Sequence, residues 1–131
     1  MNTATLYLAG PINGCTDEQA NDWRTYVKDK YEGPTLDPMR RDYRGRQDES
    51  VKEIVELDKV DVEMCDVFMA NCPHPSYGTA MEIFYAWQAR KPVIVIHPAD
   101  KPVSPWIRYH SDAVVKTLDD AIAEAIKSAG R

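Results

Sequence analysis

Short apolar runs alternate along the chain with longer segments in which apolar side chains recur every three or four residues. Runs of the first kind predict buried strands, and segments of the second kind predict amphipathic helices. The predicted strands are 4–9, 35–37, 66–71, 92–97 and a short last one at 113–115. The predicted helices are 16–31, 49–64, 77–90 and 117–130. This alternation predicts a single-domain α/β protein over residues 1–131 with a flavodoxin-like (Rossmann-like), doubly wound, five-stranded parallel sheet.

Turn and capping signals define the ends of these segments. Gly10-Pro11 ends the first strand, and Thr16 with Gln19 forms a capping box at the start of the first helix. The polar, aperiodic stretch 38–48 predicts a loop, and the proline-rich stretch 98–111 predicts another with room for one helical turn. Because such folds bind ligands at the carboxyl ends of their strands, we expect the loops after the first four strands to form one mouth.

Composition and charge narrow the class of protein. The 131 residues are 44% hydrophobic and carry a formal net charge of −5, which argues against a general binder of nucleic acid or anionic membranes. No apolar run approaches the ~20 residues of a membrane span, and the chain starts without a basic, signal-like segment. The cysteines are odd in number and lack ligand spacing, which predicts reduced thiols in a cytoplasmic protein; they are Cys15, Cys65 and Cys72.

No cofactor or metal site is expected. The three histidines have no mutual spacing typical of metal ligands, and each is interpreted as a surface or packing residue. The segment from Gly10 to Gly14 lacks the Gly-Lys-Ser/Thr ending of a phosphate-binding Walker loop, which argues against an ATPase or kinase.

One carboxylate stands out in the predicted helix 77–90. Glu82 is the only charged residue between Ala80 and Ala89, in a segment that also contains Trp87. A helix that is apolar on nearly all sides is usually buried, so Trp87 is expected in the core. Glu82 must then be paired, hydrogen-bonded or protonated. A salt bridge from Glu82 to an arginine at a packed interface is the alternative without a catalytic role.

The start of the same helix has the features of an anion site. Ser76 is placed to cap the helix, whose free N–H groups favour negative charge. Gly78 lies one turn before Glu82 on the same face, where the missing side chain would let a ligand approach.

A second carboxylate, Asp58, occupies the inward stripe of the predicted helix 49–64. The stripe contains Val51, Ile54, Val55 and Val62, and Asp58 takes its i+7 position. Asp58 is therefore expected to face the core or the mouth, with a buried cap or salt bridge as the structural alternative. Two carboxylates at one pocket are what cleavage of a glycosidic bond needs, because one attacks the anomeric carbon while the other protonates the departing group.

Four collinear segments resemble the nucleoside 2-deoxyribosyltransferase family, which includes the 2′-deoxynucleoside 5′-phosphate N-hydrolases. They are TLYLAGPI, DKVDVEMCD, SYGTAMEIFYA, and KPVIVIHP followed by PVSPWIRYHSD. The resemblance covers nearly the whole chain in the right order. Its most specific piece is Ser76-x-Gly78-Thr79-x-x-Glu82.

The resemblance implies roles for single residues. Glu82 matches the nucleophile that forms a glycosyl-enzyme intermediate, Tyr7 matches the tyrosine that orients it, and Asp58 matches the acid acting at the base. Asp66 matches a position that is structural. The expected substrate-binding residues are Gly10, Pro11, Ile12, Asn13, Ser76, Gly78, Thr79 and Ser104, together with Arg40 and Tyr43 at the predicted mouth.

Two serines bear on the choice of substrate. Family members that act on free nucleosides carry an acid at the position of Ser76 and an amide at that of Ser104, whereas the monophosphate hydrolases have serine at both. Hydroxyls and a helix N-terminus suit a phosphate, and an aspartate would repel it. The hydrolases' first loop also contains an arginine, which is absent here. Arg40, Arg41, Arg44 or Arg108 could replace that charge.

The leading hypothesis is hydrolysis of a (2′-deoxy)nucleoside 5′-monophosphate through a covalent intermediate on Glu82. Base transfer between free nucleosides shares that intermediate, and no residue decides between the two. A non-catalytic nucleotide sensor is the alternative from another class, and a flavin or dinucleotide redox protein lacks the glycine fingerprint. The resemblance also implies a homodimer or higher homo-oligomer, in which Ser104 completes a neighbour's site.

Overall fold

The computed structural model describes residues 3–98 and 100–130. The strands are β1 (Leu6–Ala9), β2 (Thr35–Leu36), β3 (Val67–Asn71), β4 (Val93–Ile96) and β5 (Ala113–Val115). The helices are α1 (Asp17–Lys30), α2 (Val51–Met64), α3 (Tyr77–Gln88), α4 (Pro105–Tyr109) and α5 (Leu118–Ala129). All strands pair in parallel in the order β2-β1-β3-β4-β5, which is the flavodoxin-like order, so the predicted fold is confirmed.

The sheet divides the core into two layers, because successive side chains of a strand point to opposite faces. Leu6 and Leu8 of β1 pack with α1 and α5. Tyr7 and Ala9 point to the other face, where they pack with residues of α2 and α3. A polar atom on Tyr7 is therefore carried into the layer that holds Asp58 and Glu82.

The predicted caps are confirmed and most segment ends agree closely. Thr16 and Gln19 form the capping box of α1, and the side chains of Ser76 and Thr117 cap α3 and α5. The predicted loop 38–48 differs at its start, where Pro38–Arg40 forms a short 3₁₀ helix. Asp37 caps that helix by accepting from the Met39 N–H at 2.8 Å, so β2 ends at Leu36.

Two burial predictions are wrong. Trp87 is 40% exposed rather than in the core, and Val51 and Val55 of the α2 stripe are exposed as well. The reason is that only one side of α3 packs against the sheet and against α2. That side carries the buried residues Thr79, Ile83 and Ala86. Within the described chain Tyr109 and His110 cover the opposite side of α3 only in part, through ring contacts with Phe84 and Trp87. None of the helices in the described ranges is long and apolar enough to cross a membrane.

Candidate active site

The site is built around a contact between the first strand and α3. Tyr7 is fully buried in β1, where its ring stacks on Phe68 of the neighbouring strand with centroids 5.4 Å apart. Its hydroxyl donates a hydrogen bond to Oε2 of Glu82. Burial raises the pKa of Tyr7 well above its usual value, with the negative charge of Glu82 adding to the effect. Tyr7 therefore remains a neutral donor that fixes the orientation of the Glu82 carboxylate.

Glu82 occupies a protein-enclosed position, although its side chain is partly accessible. Burial of the carboxyl group raises its pKa to about 8; the Tyr7 hydrogen bond opposes this rise, and the charge of Asp58 adds to it. Within the described chain Glu82 forms no ion pair, so the alternative of a salt bridge to arginine is wrong. A carboxyl group that is held by one hydroxyl and has a raised pKa at a cavity is typical of a catalytic or binding site.

Asp58 lies on α2 beside a compact set of charges. Its Oδ1 is 3.6 Å from Nη2 of Arg41, and that same nitrogen is 2.7 Å from Oδ2 of Asp61. Arg40 also contacts Asp61, at 2.7 Å. Burial raises the pKa of Asp58 to about 6, against the opposing charge of Arg41. The salt bridge named as the structural alternative is present at this longer distance, and Asp58 also lines the cavity, as expected of a residue facing the mouth.

Both carboxylates line one cavity of about 800 Å³ between α2, α3 and α4. Gly78 lines it too, and a Cβ added at Gly78 would meet open space. The walls are mostly apolar and aromatic, including Phe84 and Trp106. A cavity of this size with two acids on one side suits a small ligand with a flat ring.

A larger hollow of about 1180 Å³ lies at the opposite edge of the sheet, where the strands begin. It contains none of the predicted site residues. Asp66, which lines it, accepts a hydrogen bond from the Thr5 N–H at 2.8 Å, in keeping with its structural role. The smaller cavity is therefore the candidate active site, because it contains the two predicted catalytic acids.

The start of α3 presents polar groups beside the cavity. Ser76 Oγ accepts from the Thr79 N–H at 3.5 Å and from the Thr79 hydroxyl at 3.2 Å. Thr79 is buried, and Ser76 is half-buried. The serine cap thus leaves the remaining first-turn N–H groups available for an anion.

The loop after β1 packs against α1. Gly10 is buried, and a Cβ there would lie 2.7 Å from Cζ2 of Trp23 and 3.3 Å from the Asn71 carbonyl. Pro11 is buried, Ile12 is half-buried and Asn13 is exposed. A packing constraint therefore accounts for Gly10, independently of any contact with a sugar.

Among the described residues, Gly78 is the one predicted binding residue that lines the cavity, and the others lie outside its wall. Arg40 donates to the Asp37 carbonyl at 3.0 Å in addition to its contact with Asp61. Tyr43 lies under the guanidinium of Arg46, with 5.1 Å from Cζ to the ring centroid. Ser104 is exposed and caps α4, accepting from the Trp106 N–H at 3.3 Å. Within this chain the structure does not bring Tyr43 and Ser104 to the two acids, whereas Arg40 lies near enough for its charge to act on Asp58.

Two residues of the charge network were not anticipated. Arg24 is fully buried behind β1, and Asp61 is buried between two arginines. The sequence does contain a signal for Arg24, because it falls on the apolar stripe of α1 with Ala20 and Val27. A charged residue on an inward stripe is the same signal that identified Asp58.

The fold and the site together define a parallel α/β enzyme with a carboxylate pair at the carboxyl edge of its sheet. The family model for nucleoside 2-deoxyribosyltransferase matches residues 6–125, and the chain belongs to that family. By class it is an enzyme acting on nucleosides or nucleotides. No curated protein matched the sequence significantly.

Solved structures agree with the family assignment. A 2-deoxyribosyltransferase from Bacillus psychrosaccharolyticus is similar with a TM-score of 0.73 at 18% identity, over 89% of each chain. The CMP N-glycosidase BcmB of Clostridium botulinum gives 0.61 at 17% identity, over 93% of this chain and 98% of that one. A conserved protein from Enterococcus faecalis gives 0.71 at 16% identity, over 95% and 98%. At these identities the likeness concerns the fold.

Proposed function

We propose that this enzyme hydrolyses the N-glycosidic bond of a (2′-deoxy)nucleoside 5′-monophosphate through a covalent intermediate on Glu82. The observation that carries the proposal is that Glu82, which accepts a hydrogen bond from the buried Tyr7 hydroxyl, lines one cavity together with Asp58. A nucleotide-binding sensor has no need for a hydroxyl-oriented carboxylate facing a second acid.

In the first step a carboxylate oxygen of Glu82 attacks the anomeric carbon. The bond to the base breaks, its electron pair leaves with the base, and Asp58 donates a proton to that base. In the second step Asp58, now ionised, takes a proton from water, whose oxygen displaces Glu82 and yields the free sugar phosphate. The attack requires the ionised form of Glu82, which burial disfavours. The Tyr7 hydrogen bond and the positive charge that develops on the sugar both favour that form.

The preference for a monophosphate is supported by the charges near the site. Ser76 and the N-terminus of α3 carry no negative charge that would repel a phosphate. Among the four candidate arginines, Arg40, Arg41 and Arg44 each form ion pairs with aspartates. Arg108 of α4 forms none with the described residues, so we infer that it is the arginine most available to a phosphate.

Base transfer between free nucleosides is the second candidate. It is favoured by the similarity to the Bacillus 2-deoxyribosyltransferase and by an apolar cavity that could hold an acceptor base. Transfer differs from hydrolysis only in the nucleophile that displaces Glu82.

The experiment that tests the proposal is chromatography of reactions with deoxynucleosides and their 5′-monophosphates, each with and without a second free base. Release of base from monophosphates alone supports the hydrolase. Formation of a new nucleoside only when a second base is present would overturn it in favour of the transferase. Binding without base release would favour the sensor.

Replacing Ser76 with aspartate tests the phosphate site directly. We expect Ser76→Asp to lower kcat/KM for a monophosphate by about a hundredfold, because the new charge repels the phosphate and occupies the start of α3. Activity on the free nucleoside should change much less. Ser76→Asn, which keeps a neutral cap, is the matched control. An equal loss on both substrates would place the phosphate elsewhere.

We also propose that the enzyme acts as a homo-oligomer in the cytoplasm. The three cysteines are free, which suits a reducing compartment. One surface, here called the apolar face, is formed by Val55, Met81, Phe84, Trp87, Trp106 and Tyr109, all of which are exposed. Aromatic contacts connect several of its members, and it borders the cavity. Exposed apolar surface of this kind is typical of an interface, and a second copy there could bring its Ser104 to the site.

Two equally exposed methionines provide a matched test of that surface. Met81, 74% exposed, lies on the apolar face, whereas Met64, 67% exposed, lies on the opposite side of α2 from Val55. We expect Met81→Glu to shift the sedimentation coefficient toward the monomer, because it buries a charge in the interface, and Met64→Glu to leave it unchanged. A wild-type chain that sediments as a fully active monomer would contradict the proposal.

A further inference from the structure

Arg24 is a fully buried cation directly behind the site. Its Nε donates to the Leu8 carbonyl at 3.2 Å, its Nη2 to the Gly10 carbonyl at 3.1 Å, and its Nη1 to the Ala20 carbonyl at 2.6 Å. Nε is also 3.4 Å from Oδ1 of Asp37. Burying a guanidinium is costly unless it is paired and hydrogen-bonded, and these contacts provide both.

The contacts tie Arg24 to the part of β1 that orients the nucleophile. Leu8 directly follows Tyr7, and Gly10 is the first residue after β1, so the guanidinium fixes the end of the strand and the start of the first loop together. Lysine could not make the same set of contacts, because it has no planar fork of donors. The same charge lies close enough to favour the ionised form of Glu82.

We propose that Arg24 is a positioning residue of the catalytic site, which holds the end of β1 next to Tyr7 and places a buried positive charge there. Asp37 moderates this charge through its ion pair with Arg24. The catalytic consequence rests on the proposed function, whereas the electrostatic effect on Glu82 does not.

The groups that influence the pKa of Glu82 come from three elements. Tyr7 of β1 and Arg24 of α1 lower the pKa of Glu82, whereas Asp58 and Asp61 of α2 raise it. Burial lowers the pKa of Arg24 itself, with Asp37, Tyr7, Glu82 and Cys15 opposing. Substitutions at Arg24 and at Asp37 should therefore shift the pKa of Glu82 in opposite directions. A simple loss of packing would not produce opposite shifts.

The test is a titration of the Glu82 carboxyl carbon by NMR in protein labelled with ¹³C-glutamate, with Glu82→Gln identifying the signal. We expect Arg24→Gln to raise the proton affinity of Glu82 about tenfold. Asp37→Asn, which keeps the acceptor that caps the 3₁₀ helix, should lower it severalfold. Arg24→Lys keeps the charge and should stay near the wild-type midpoint.

Arg44→Gln is the matched control. Arg44 also donates to a carbonyl of the first loop, that of Cys15 at 3.3 Å, but its charge pairs with Asp17 and Asp42. Arg44→Gln should leave the titration midpoint of Glu82 unchanged.

An unchanged midpoint in folded Arg24→Gln would overturn the inference. If that variant does not fold, Asp37→Asn decides, and an unchanged or raised midpoint there would overturn it as well. The proposed function fails separately, through full activity of Glu82→Gln. Even then, the titration would still test the electrostatic effect of Arg24 on Glu82.

Discussion

Glu82→Gln is expected to lower the rate of base release by about a thousandfold or more. The amide has nearly the same shape and can still accept a hydrogen bond from Tyr7, but it is a very weak nucleophile at the anomeric carbon. The measurement is base release from the best substrate of the panel, under single-turnover conditions. Mass spectrometry of wild-type protein quenched during the reaction should also find the sugar phosphate attached to Glu82.

A second glutamate provides the control for this substitution. Glu63 accepts a hydrogen bond from the Tyr85 hydroxyl at 2.7 Å, which reproduces the carboxylate–tyrosine pair at an exposed position of α2. Glu63→Gln should therefore retain activity. If Glu82→Gln retained activity too, the nucleophile would have been wrongly assigned.

The pH dependence of the melting temperature distinguishes a loss of catalysis from a loss of folding in Glu82→Gln. The pKa of Glu82 is raised by burial from 4.5 to about 8 in the folded protein. Between these values the unfolded chain carries the charge more readily, so wild-type stability falls as pH rises through this window. Glutamine removes that cost. The variant should melt at the same temperature as wild type at low pH and at a higher one above pH 8.

The sequence could predict the fold because its strand, helix and capping signals agree with one another. Strands such as 92–97 are too apolar for an exposed position, and the capping residues Thr16, Ser76 and Thr117 mark helix starts by local chemistry. The strand order also follows from the usual rules for alternating α/β chains. Such signals need no knowledge of distant contacts.

Burial on the outer side of the helices could not be predicted in the same way. The apolar pattern around Trp87 and Val55 indicates that these side chains prefer to be covered, but it does not say what covers them. Within the described residues Trp87 is covered only in part, by the rings of Tyr109 and His110. The same argument explains why Asp61 was missed, since its burial depends on Arg40 and Arg41 from a loop distant in sequence.

The two acids were predictable because a charge in an apolar stripe is a conflict that a purely structural role resolves poorly. The division of labour proposed for them could not be predicted from the stripe. It follows from their surroundings, since Glu82 is held by a hydroxyl, whereas Asp58 lies loosely beside Arg41. A group that exchanges a proton with the base needs the looser arrangement.

Asp58→Asn is accordingly expected to slow base release by about a hundredfold to a thousandfold for ordinary bases. Asparagine can still hydrogen-bond to the base but cannot donate a proton to it. The loss should shrink to about tenfold or less for a purine methylated on its imidazole ring, because that base already carries a positive charge and leaves without protonation. The measurement compares kcat for the two substrates in wild type and variant.

Glu56→Gln on the solvent side of the same helix is the control, since Glu56 is exposed and should affect neither substrate. Equal losses of Asp58→Asn on the ordinary and the methylated base would mean that Asp58 binds the base without protonating it. A rise in KM with kcat unchanged would lead to the same conclusion. A loss confined to the ordinary base would instead establish proton donation at Asp58, because only the protonation requirement distinguishes the two leaving groups.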